Sequence, residues 1–487
     1  MNMSMHLSLI ITTALTAAIM LLAVSSASAA SAVVIYPAPP DEEMSPDYTV
    51  SIDGRAVPVY AAKVAPADTT RRWKAMDDKK NSADYFEKAA FCYFDMAGPV
   101  RITVTSARPV ESAVILPGSF NVKPVVNGNT VTIDLSQPRH LTLEINGDYV
   151  NSLHLFANPP EKDAPSPDDP NVIYFGPGIH EITHMEVGSG KTVYVAGGAV
   201  VRGVIGPDEK FGISSYSGLR TYTPTLVLKG SNITLRGRGI IDGSRSTTHA
   251  RNLVVVDGQD IRLEGVILRD SSTWTIPVRR SDRVHISNVK LIGYRANSDG
   301  IDVCNSRDVT IEDCFIRTLD DLIVVKTFKD QGPAQRIVAR RCVLWNEVAH
   351  ALSIGAELRE NVDDVLFEDC DVIRDKGREW VLRVYHCDSA RISNVRFENI
   401  RVEESRRFMS LWIGQASWSR DAERGTIRDI TFRNISLRGK PVIEFRGFDR
   451  EHDIAGVLIE NVTVDGRPLT AGEVRSNEFV SQVVVRP

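Results

Sequence analysis

A six-residue pattern of apolar and polar positions recurs nine times in the second half of the chain. Positions one and three are apolar in every copy, position two is usually polar, and position six is apolar or Cys in eight copies. Position five is Asn or Asp in six copies, and these side chains tolerate the left-handed backbone of a bend. The pattern predicts a short strand with one buried face that ends at a bend. The copies occupy residues 233–238, 261–266, 284–289, 309–314, 337–342, 365–370, 395–400, 430–435 and 457–462.

The spacing of these copies predicts the architecture. They begin 23 to 35 residues apart, a length that fits three short strands and three bends per turn of a coil. Successive turns then stack as parallel strands at about 4.8 Å. No copy contains the 10–12-residue helical run that a helical solenoid needs, and the frame of leucine-rich repeats is missing. We therefore predict a right-handed parallel β-helix over residues 171–487.

Residues 30–170 show a different pattern, with short alternating runs separated by turn signals. The runs at 48–52, 100–104, 130–134 and 140–145 alternate apolar and polar side chains, as half-buried strands do. This is typical of a β-sandwich. Residues 159–169, rich in Pro, Asp and Glu, are the predicted linker. The expected fold is therefore all-β, with an N-terminal β-sandwich ahead of the β-helix.

The extreme N-terminus predicts export. Residues 7–24 are nearly all apolar, and the small residues at 27–29 fit a cleavage site, so residues 1–29 are interpreted as a signal peptide of a secreted or periplasmic protein. An uncleaved membrane anchor is the alternative, because the segment before the apolar run lacks Lys and Arg. No later segment is long and apolar enough to span a bilayer.

Charge and cysteine content narrow the function classes. The 487-residue chain has a net charge of −5, which argues against a nucleic-acid partner. An exported protein with six cysteines would ordinarily suggest disulfides. However, Cys314, Cys342 and Cys370 occupy position six of three consecutive repeats. We expect them to form a buried column of free thiols, because a straight stack offers no tetrahedral metal cage.

The candidate chemistry lies in three consecutive repeats. Asp299 follows the start of its repeat by 15 residues, Asp320 and Asp321 follow theirs by 11 and 12, and His350 follows its own by 13. Similar offsets in a coil place these side chains in one row. Paired carboxylates on a rigid face are what glycosidic-bond hydrolysis requires. Bend-capping aspartates and a structural histidine remain the plainer explanation for each residue taken alone.

At these residues the sequence resembles glycoside hydrolase family 28, the polygalacturonase-like β-helix enzymes. That family carries Asn-Thr-Asp-Gly, Asp-Asp, Gly-His-Gly and Arg-Ile-Lys strings in this order. The chain has corresponding strings at 297–300, 320–321, 349–351 and 383–385. The resemblance covers about residues 180–470 and implies inverting hydrolysis of a polysaccharide with no metal or organic cofactor.

The resemblance also implies roles for individual residues. Asp320 is the expected general acid, Asp299 and Asp321 the pair that activates water, and His350 a residue that tunes the proton or binds sugar. An inverting acid and base are expected about 6.5–9.5 Å apart, which two rungs of a β-helix would supply. The predicted substrate-binding residues are Asn297, Lys326, Arg383 and Tyr385.

Departures from the family pattern keep several functions open. The family's Lys is Tyr385 here, which weakens the case for galacturonate. A pectin-like polysaccharide is still the expected substrate, with an α-glucan as the alternative. The two-domain layout is similar to glycoside hydrolase family 49, the dextranase and isopullulanase group. A polysaccharide lyase that uses Lys326 or Arg383 is also compatible with the sequence, and so is a non-catalytic glycan-binding β-helix. Four tryptophans are candidate sugar-stacking platforms or, equally, packing residues: Trp274, Trp345, Trp380 and Trp412.

Overall fold

The computed structural model describes residues 33–487. The predicted signal peptide at 1–29 lies outside the described residues. Between 33 and 487, no helix is long and apolar enough to cross a membrane. The described chain is almost entirely β-structure, so the predicted all-β class is confirmed.

The N-terminal part is a sandwich of a six-stranded and a five-stranded sheet, which enclose one apolar core. The six-stranded sheet contains Val33–Ile35, Tyr60–Val64, Glu87–Met96, Ala113–Leu116, Arg139–Ile145 and Asp148–Asn158. The five-stranded sheet contains Tyr48–Ile52, Arg55–Val57, Val100–Ser106, Val125–Asn127 and Thr130–Leu135. All four runs predicted as strands are strands.

Two central strands of the sandwich and one helix escaped prediction. Glu87–Met96 and Asp148–Asn158 are buried along most of their length, because their outer face packs on the β-helix. A strand buried on both faces loses the alternation that identifies a half-exposed one. The helix Thr69–Asp77 is short and is capped by Asp68, whose side chain accepts from the N–H of Arg71 at 2.8 Å. Short 3₁₀ turns lie at Ser82–Asp84, Gly118–Phe120 and Ala471–Glu473.

The rest of the described chain winds into one continuous sheet of 31 strands, arranged on three faces as a right-handed parallel β-helix. The first face contains Val172–Phe175, Thr192–Val195, Leu226–Gly237, Val254–Glu264, Asp282–Ser287, Arg307–Glu312, Ala334–Arg340, Val362–Glu368, Arg391–Glu398, Thr426–Gly439, Ile454–Val464 and Val480–Arg486. The second contains Gly178–Ile182, Ala199–Gly203, Ile240–Asp242, Ile267–Arg269, Lys290–Ile292, Phe315–Thr318, Val343–Asn346, Asp371–Asp375 and Arg401–Ser405. The third contains Met185–Val187, Ile276–Arg279, Ile301–Cys304, Ile323–Thr327, Leu352–Leu358, Leu382–His386, Met409–Ile413, Ile443–Arg446 and Val474–Ser476. Between the first two of these, the third face is formed by the N-terminal parts of the long strands Leu226–Gly237 and Val254–Glu264. Arg467–Pro468 closes a terminal hairpin, and Gly212–Ile213 pairs with Arg220–Thr221 in a separate hairpin.

The predicted register of the nine repeats is confirmed. The first residue of each copy pairs with the first residue of the next, from Ile233 opposite Ile261 through to Ile430 opposite Val457. Position five adopts positive φ in all nine copies, including Arg341 at 53°. The bend therefore imposes the left-handed conformation even where Asn, Asp or Gly is absent.

The three stacked cysteines are buried and free, as expected. Each thiol donates to the backbone oxygen two residues before it, as Cys314 does to Glu312 at 3.3 Å. Cys92, Cys304 and Cys387 are also buried and free.

The sandwich packs against the second face of the β-helix through an aromatic cluster. Phe91 and Phe156 of the sandwich meet Phe315 and Trp345 of the β-helix. Buried ion pairs join the same surfaces, among them Arg238 with Asp95, whose Nε and Oδ1 are 2.8 Å apart. This contact leaves the third face uncovered by the sandwich sheets.

We expect all six thiols to be unreactive in the native protein, because burial raises the pKa of groups such as Cys92 and Cys304 and blocks reagent access. Titration with a thiol reagent should count no thiol in buffer and six in denaturant without reductant. A count below six in denaturant would reveal a disulfide and contradict the structure.

Candidate active site

The candidate site lies where each rung turns from the second face to the third. Asp299, Asp321 and His350 each stand two residues before the first residue of a third-face strand, and those strand residues pair in register. Backbone hydrogen bonds link the turns, with the N–H of Gly300 donating to Asp321 at 2.8 Å and that of Leu322 donating to His350 at 2.9 Å. The three side chains therefore form one column on successive rungs.

The same column continues in both directions. Trp274 precedes Asp299 by one rung, and Trp380 and Arg407 follow His350 on the next two rungs. The column, which we call the turn column, thus brackets the carboxylates and the histidine between two indole rings. Trp274 and Trp380 are half-buried and remain candidate sugar platforms.

The three aspartates converge closely. Each offers a carboxylate oxygen that lies within 4.8 Å of an oxygen of the other two. This closest approach is shorter than the expected acid–base separation of about 6.5–9.5 Å. The reason is that Asp320, the expected acid, shares its rung with Asp321 and is one rung from Asp299, whereas the expected separation assumed two rungs.

Exposure differs among the three aspartates. Asp299 is 1% exposed and Asp321 8%, whereas Asp320 is half-buried. Within residues 33–487, no donor reaches Oδ1 of Asp299 or Oδ1 of Asp321. These two oxygens are therefore available to accept a proton, while Asp320 is the most exposed residue of the three.

Lys326 lies beneath the carboxylates. Its Nζ is 3.0 Å from Oδ2 of Asp299 and 2.9 Å from Oδ1 of Asp302, and 4.2 Å from the centroid of the Trp274 ring. The side chain is 4% exposed. Its contacts assign it to charge compensation under the triad, and its predicted contact with substrate stays a prediction.

Burial dominates the titration of the cluster. It raises the pKa of Asp299 and of Asp321 well above the ordinary range, with Asp320 adding to the effect on Asp321. Burial also raises the pKa of Asp320. The Lys326 ammonium lowers the pKa of all three. Close carboxylates with one cation retain protons to a higher pH than isolated carboxyls do.

Asp320 is held by two N–H donors. The amide of Asn297 donates to its Oδ2 and the backbone N–H of Asp321 donates to its Oδ1, both at 3.0 Å. Asn297 is itself fixed by His249, whose Nε2 donates to Oδ1 of Asn297 at 3.0 Å. Asn297 has φ of 55°, the left-handed backbone that Asn tolerates, so the turn aims its amide at Asp320.

His350 is a neutral imidazole near neutral pH. Its Nδ1 donates to the backbone oxygen of Trp380 at 2.7 Å. Burial, followed by the charge of Arg383, lowers the pKa of His350 to about 4. The Nε2 atom is then an acceptor, suited to a sugar hydroxyl.

Arg383 does not join the turn column, because its place there is taken by Trp380. It lies on the strand and pairs in register with Ser353. The Arg383 guanidinium donates to Glu379 at 2.6 Å and lies 4.0 Å from the Tyr385 ring centroid. Tyr385 makes an edge contact with Trp412 at 5.0 Å between ring centroids.

Trp345 is a packing residue and not a sugar platform. It is fully buried between the two domains, with the Arg317 guanidinium 3.8 Å from its ring centroid. Its strand lies on the second face, which the sandwich covers, so substrate cannot reach it.

Several site residues were missed by sequence reasoning. Asp302 could have been found from the sequence, because it lies between the apolar residues Ile301 and Val303 on a strand. Those two side chains face the core, so the side chain of Asp302 faces outward beside the triad. Glu379 carried a weaker signal, four residues before Arg383. His249 stands outside the repeat pattern, and nothing in its neighbourhood marks it.

We expect Lys326→Met to destabilise the protein by about 3–5 kcal/mol, because it leaves Asp299 and Asp302 buried without their cation. The pKa values of both carboxyls in the folded state would rise further above their unfolded values. The loss should therefore be larger at pH 8 than at pH 5, where more of the cluster is protonated. Urea unfolding at both pH values measures this.

The matched control is Lys329→Met, since Lys329 is exposed on the following turn. Adding Asp302→Asn to Lys326→Met should recover part of the loss. Equal destabilisation at pH 5 and pH 8 would contradict the charge assignment.

Two solved structures share the architecture over nearly the whole chain. Dex49A from Penicillium minioluteum aligns with a TM-score of 0.60 at 14% identity, covering 93% of this chain and 96% of that one. The Yersinia enterocolitica family 28 exopolygalacturonase aligns with a TM-score of 0.53 at 14% identity, covering 94% and 96%. At such identities the likeness concerns the fold.

Sequence comparison identifies the family. The chain is 24% identical over 230 residues to an exopolygalacturonase of Arabidopsis thaliana, covering 45% of this chain and 52% of the relative. The chain thus spans about half the length of that relative. The family described as "Glycosyl hydrolases family 28" matches residues 226–473, which is 248 of the 487 residues. The protein therefore belongs to glycosyl hydrolases family 28.

Proposed function

We propose that the protein hydrolyses glycosidic bonds of a pectin-like, galacturonate-containing polysaccharide, with Asp320 as general acid and Asp299 and Asp321 activating water. The observation that carries the proposal is that the three carboxylates converge to within 4.8 Å of one another. Relatives named as polygalacturonases support the substrate class. The cationic and aromatic side chains beside the triad, Arg383 and Tyr385, suit an acidic sugar.

The geometry supports a division of labour. Asp320 faces the groove and belongs to a cluster that retains a proton, so it donates to the leaving oxygen as the glycosidic C–O bond breaks. A water bound against Asp299 and Asp321 gives its proton to the carboxylate as its oxygen bonds to the anomeric carbon. Burial raises the pKa of Asp299, and the Lys326 ammonium opposes that effect, which shifts Asp299 toward the ionised form that a base requires. His350 binds a hydroxyl of the sugar, and Asn297 holds the carboxyl of Asp320 in place.

A polysaccharide lyase is disfavoured because its two candidate bases, Lys326 and Arg383, are protonated. Burial lowers the pKa of Lys326, but the charges of Asp299 and Asp302 outweigh it and hold that pKa well above its ordinary value. The side chain is therefore an ammonium, which cannot abstract a proton. Arg383 stays protonated as arginines do and is paired with Glu379. An α-glucan substrate remains the second candidate, because Tyr385 stands where the family has Lys.

We expect Asp320→Asn to lower kcat by roughly 100- to 10,000-fold, the range that general acid catalysis contributes, with an unchanged melting temperature. The assay measures reducing ends released from polygalacturonate, pectin, dextran and pullulan. Asp330→Asn, an exposed bend aspartate with φ of 61°, is the matched control.

Each outcome of that panel is decisive. Reducing ends without ultraviolet-absorbing product indicate hydrolysis, and absorbing product indicates a lyase. Binding without turnover, retained when all three aspartates become Asn, indicates a glycan-binding protein. Release from dextran or pullulan alone would replace the pectin-like substrate with an α-glucan.

The stereochemistry needs its own test, because the closest carboxylate approach is shorter than inverting enzymes typically have. The family resemblance implies inversion. Proton NMR of the first product formed should show the anomer opposite to that of the substrate bond. A product that retains the substrate's configuration would make one of the aspartates a nucleophile.

We expect chelation by EDTA to leave the rate unchanged. Three carboxylate oxygens at this spacing also suit a divalent cation, but Lys326 already supplies a positive charge at Asp299. Loss of activity in EDTA that is restored by added Ca²⁺ would contradict a metal-independent mechanism.

A further inference from the structure

The N-terminal domain reaches the catalytic groove through one segment. The helix Thr69–Asp77 shares a small buried apolar cluster with Ala296, Leu319 and Val348, each of which comes one or two residues before a candidate site residue. The N–H of Ala296 donates to Oγ of Ser82 at 2.6 Å. The segment that follows the helix is therefore fixed to the turns that carry the triad.

This segment places Lys79 against an aromatic residue of the β-helix domain. Lys79 Nζ is 3.4 Å from the centroid of the Tyr216 ring. That ring stacks on His249 at 6.0 Å between centroids and 14° between planes. His249 in turn holds Asn297, the residue that donates to Asp320. We call Lys79 and Tyr216 the clasp.

The position of Tyr216 is informative about the groove. It lies in the hairpin segment between Gly212–Ile213 and Arg220–Thr221 and is 50% exposed. His249, on which it stacks, belongs to an earlier rung than Asp299, because its N–H donates to Ser272 ahead of that rung. The clasp therefore lies on the side of the N-terminal rungs and is connected to Asp320 through His249 and Asn297.

On the opposite side of the triad, toward the C-terminal rungs, the third face carries aromatic and cationic side chains. Tyr385, Trp412 and Arg446 pair in register along the outward side of the third face. A cavity of 620 Å³ lies there, lined by Trp412, Arg446 and Arg475 among others. The rung of Arg446 lies four rungs beyond that of Asp321, or about 19 Å at 4.8 Å per rung, which gives room for several sugar rings.

We propose that the clasp closes the groove beside Asp320 and that Lys79 binds the carboxylate of a terminal uronic acid. The enzyme then removes one or two sugars at a time from a chain end, while the rest of the polymer lies along the groove toward Arg446. This inference rests on the proposed function and adds its mode of action. An ammonium resting on an aromatic face keeps N–H donors for a carboxylate.

The first experiment follows products from polygalacturonate over time. Wild type should release mono- or disaccharide from the earliest samples, with slow loss of viscosity. Lys79→Gln should raise KM for trigalacturonate by about 10- to 100-fold, since a hydrogen bond to a charged group contributes about 1.5–3 kcal/mol, with a smaller change in kcat. Tyr216→Ala should open the end and yield longer early products. Lys80→Gln, at the neighbouring exposed lysine, is the matched control.

Two results would overturn the inference. One is a mixture of long oligomers from wild type at the earliest times, and the other is identical kinetics for Lys79→Gln and Lys80→Gln. A wild type that hydrolyses none of the polymers counts instead against the proposed function.

A binding measurement separates those failures. Calorimetry with Asp320→Asn should show digalacturonate binding that Lys79→Gln weakens at least tenfold, while binding of the dimethyl ester is unchanged by Lys79→Gln. Equal weakening for acid and ester would show that Lys79 does not recognise the carboxylate.

Discussion

The in-register stacking of successive rungs is the constraint on which the structure depends. Each repeat pairs its strands with those of the next at the spacing of one hydrogen-bonded strand. Any residue at a fixed offset in its rung therefore faces the same residue position one rung away. The turn column follows directly: Asp299, Asp321 and His350 are neighbours in space because their turns occupy the same place in consecutive rungs, with no long loop needed to gather them.

The same stacking brings several buried carboxylates close together, which is electrostatically unfavourable. Four aspartates, with Asp302 included, lie on two adjacent rungs in a largely buried environment, and one lysine compensates them. The cluster is costly to bury and holds protons at higher pH than exposed carboxyls do. These properties suit an acid and a base that work side by side near neutral pH. The column of free thiols at the bend between the first and second faces is stacked in the same way but serves only packing.

Structural features that depend on the repeat could be predicted from the sequence, whereas features outside the repeat could not. The register of the nine copies, the left-handed bends and the row of acidic residues follow from periodicity, because one offset determines one place. The strand Glu87–Met96 was missed because burial on both faces erases its alternation. Arg383 follows the start of its repeat by 18 residues, and the longer segment before its strand gives Trp380 the place in the turn column. His249 reaches Asn297 from a β-helix segment outside the repeat pattern, and the packing of the N-terminal domain on the β-helix brings Lys79 against Tyr216.

The most direct test of the account is a crystal structure of the Asp320→Asn protein with a bound oligogalacturonate. The account predicts that the glycosidic oxygen lies within hydrogen-bond distance of residue 320, with a water held between Asp299, Asp321 and the anomeric carbon. A saccharide bound elsewhere on the β-helix, with the turn column unoccupied by sugar, would contradict it.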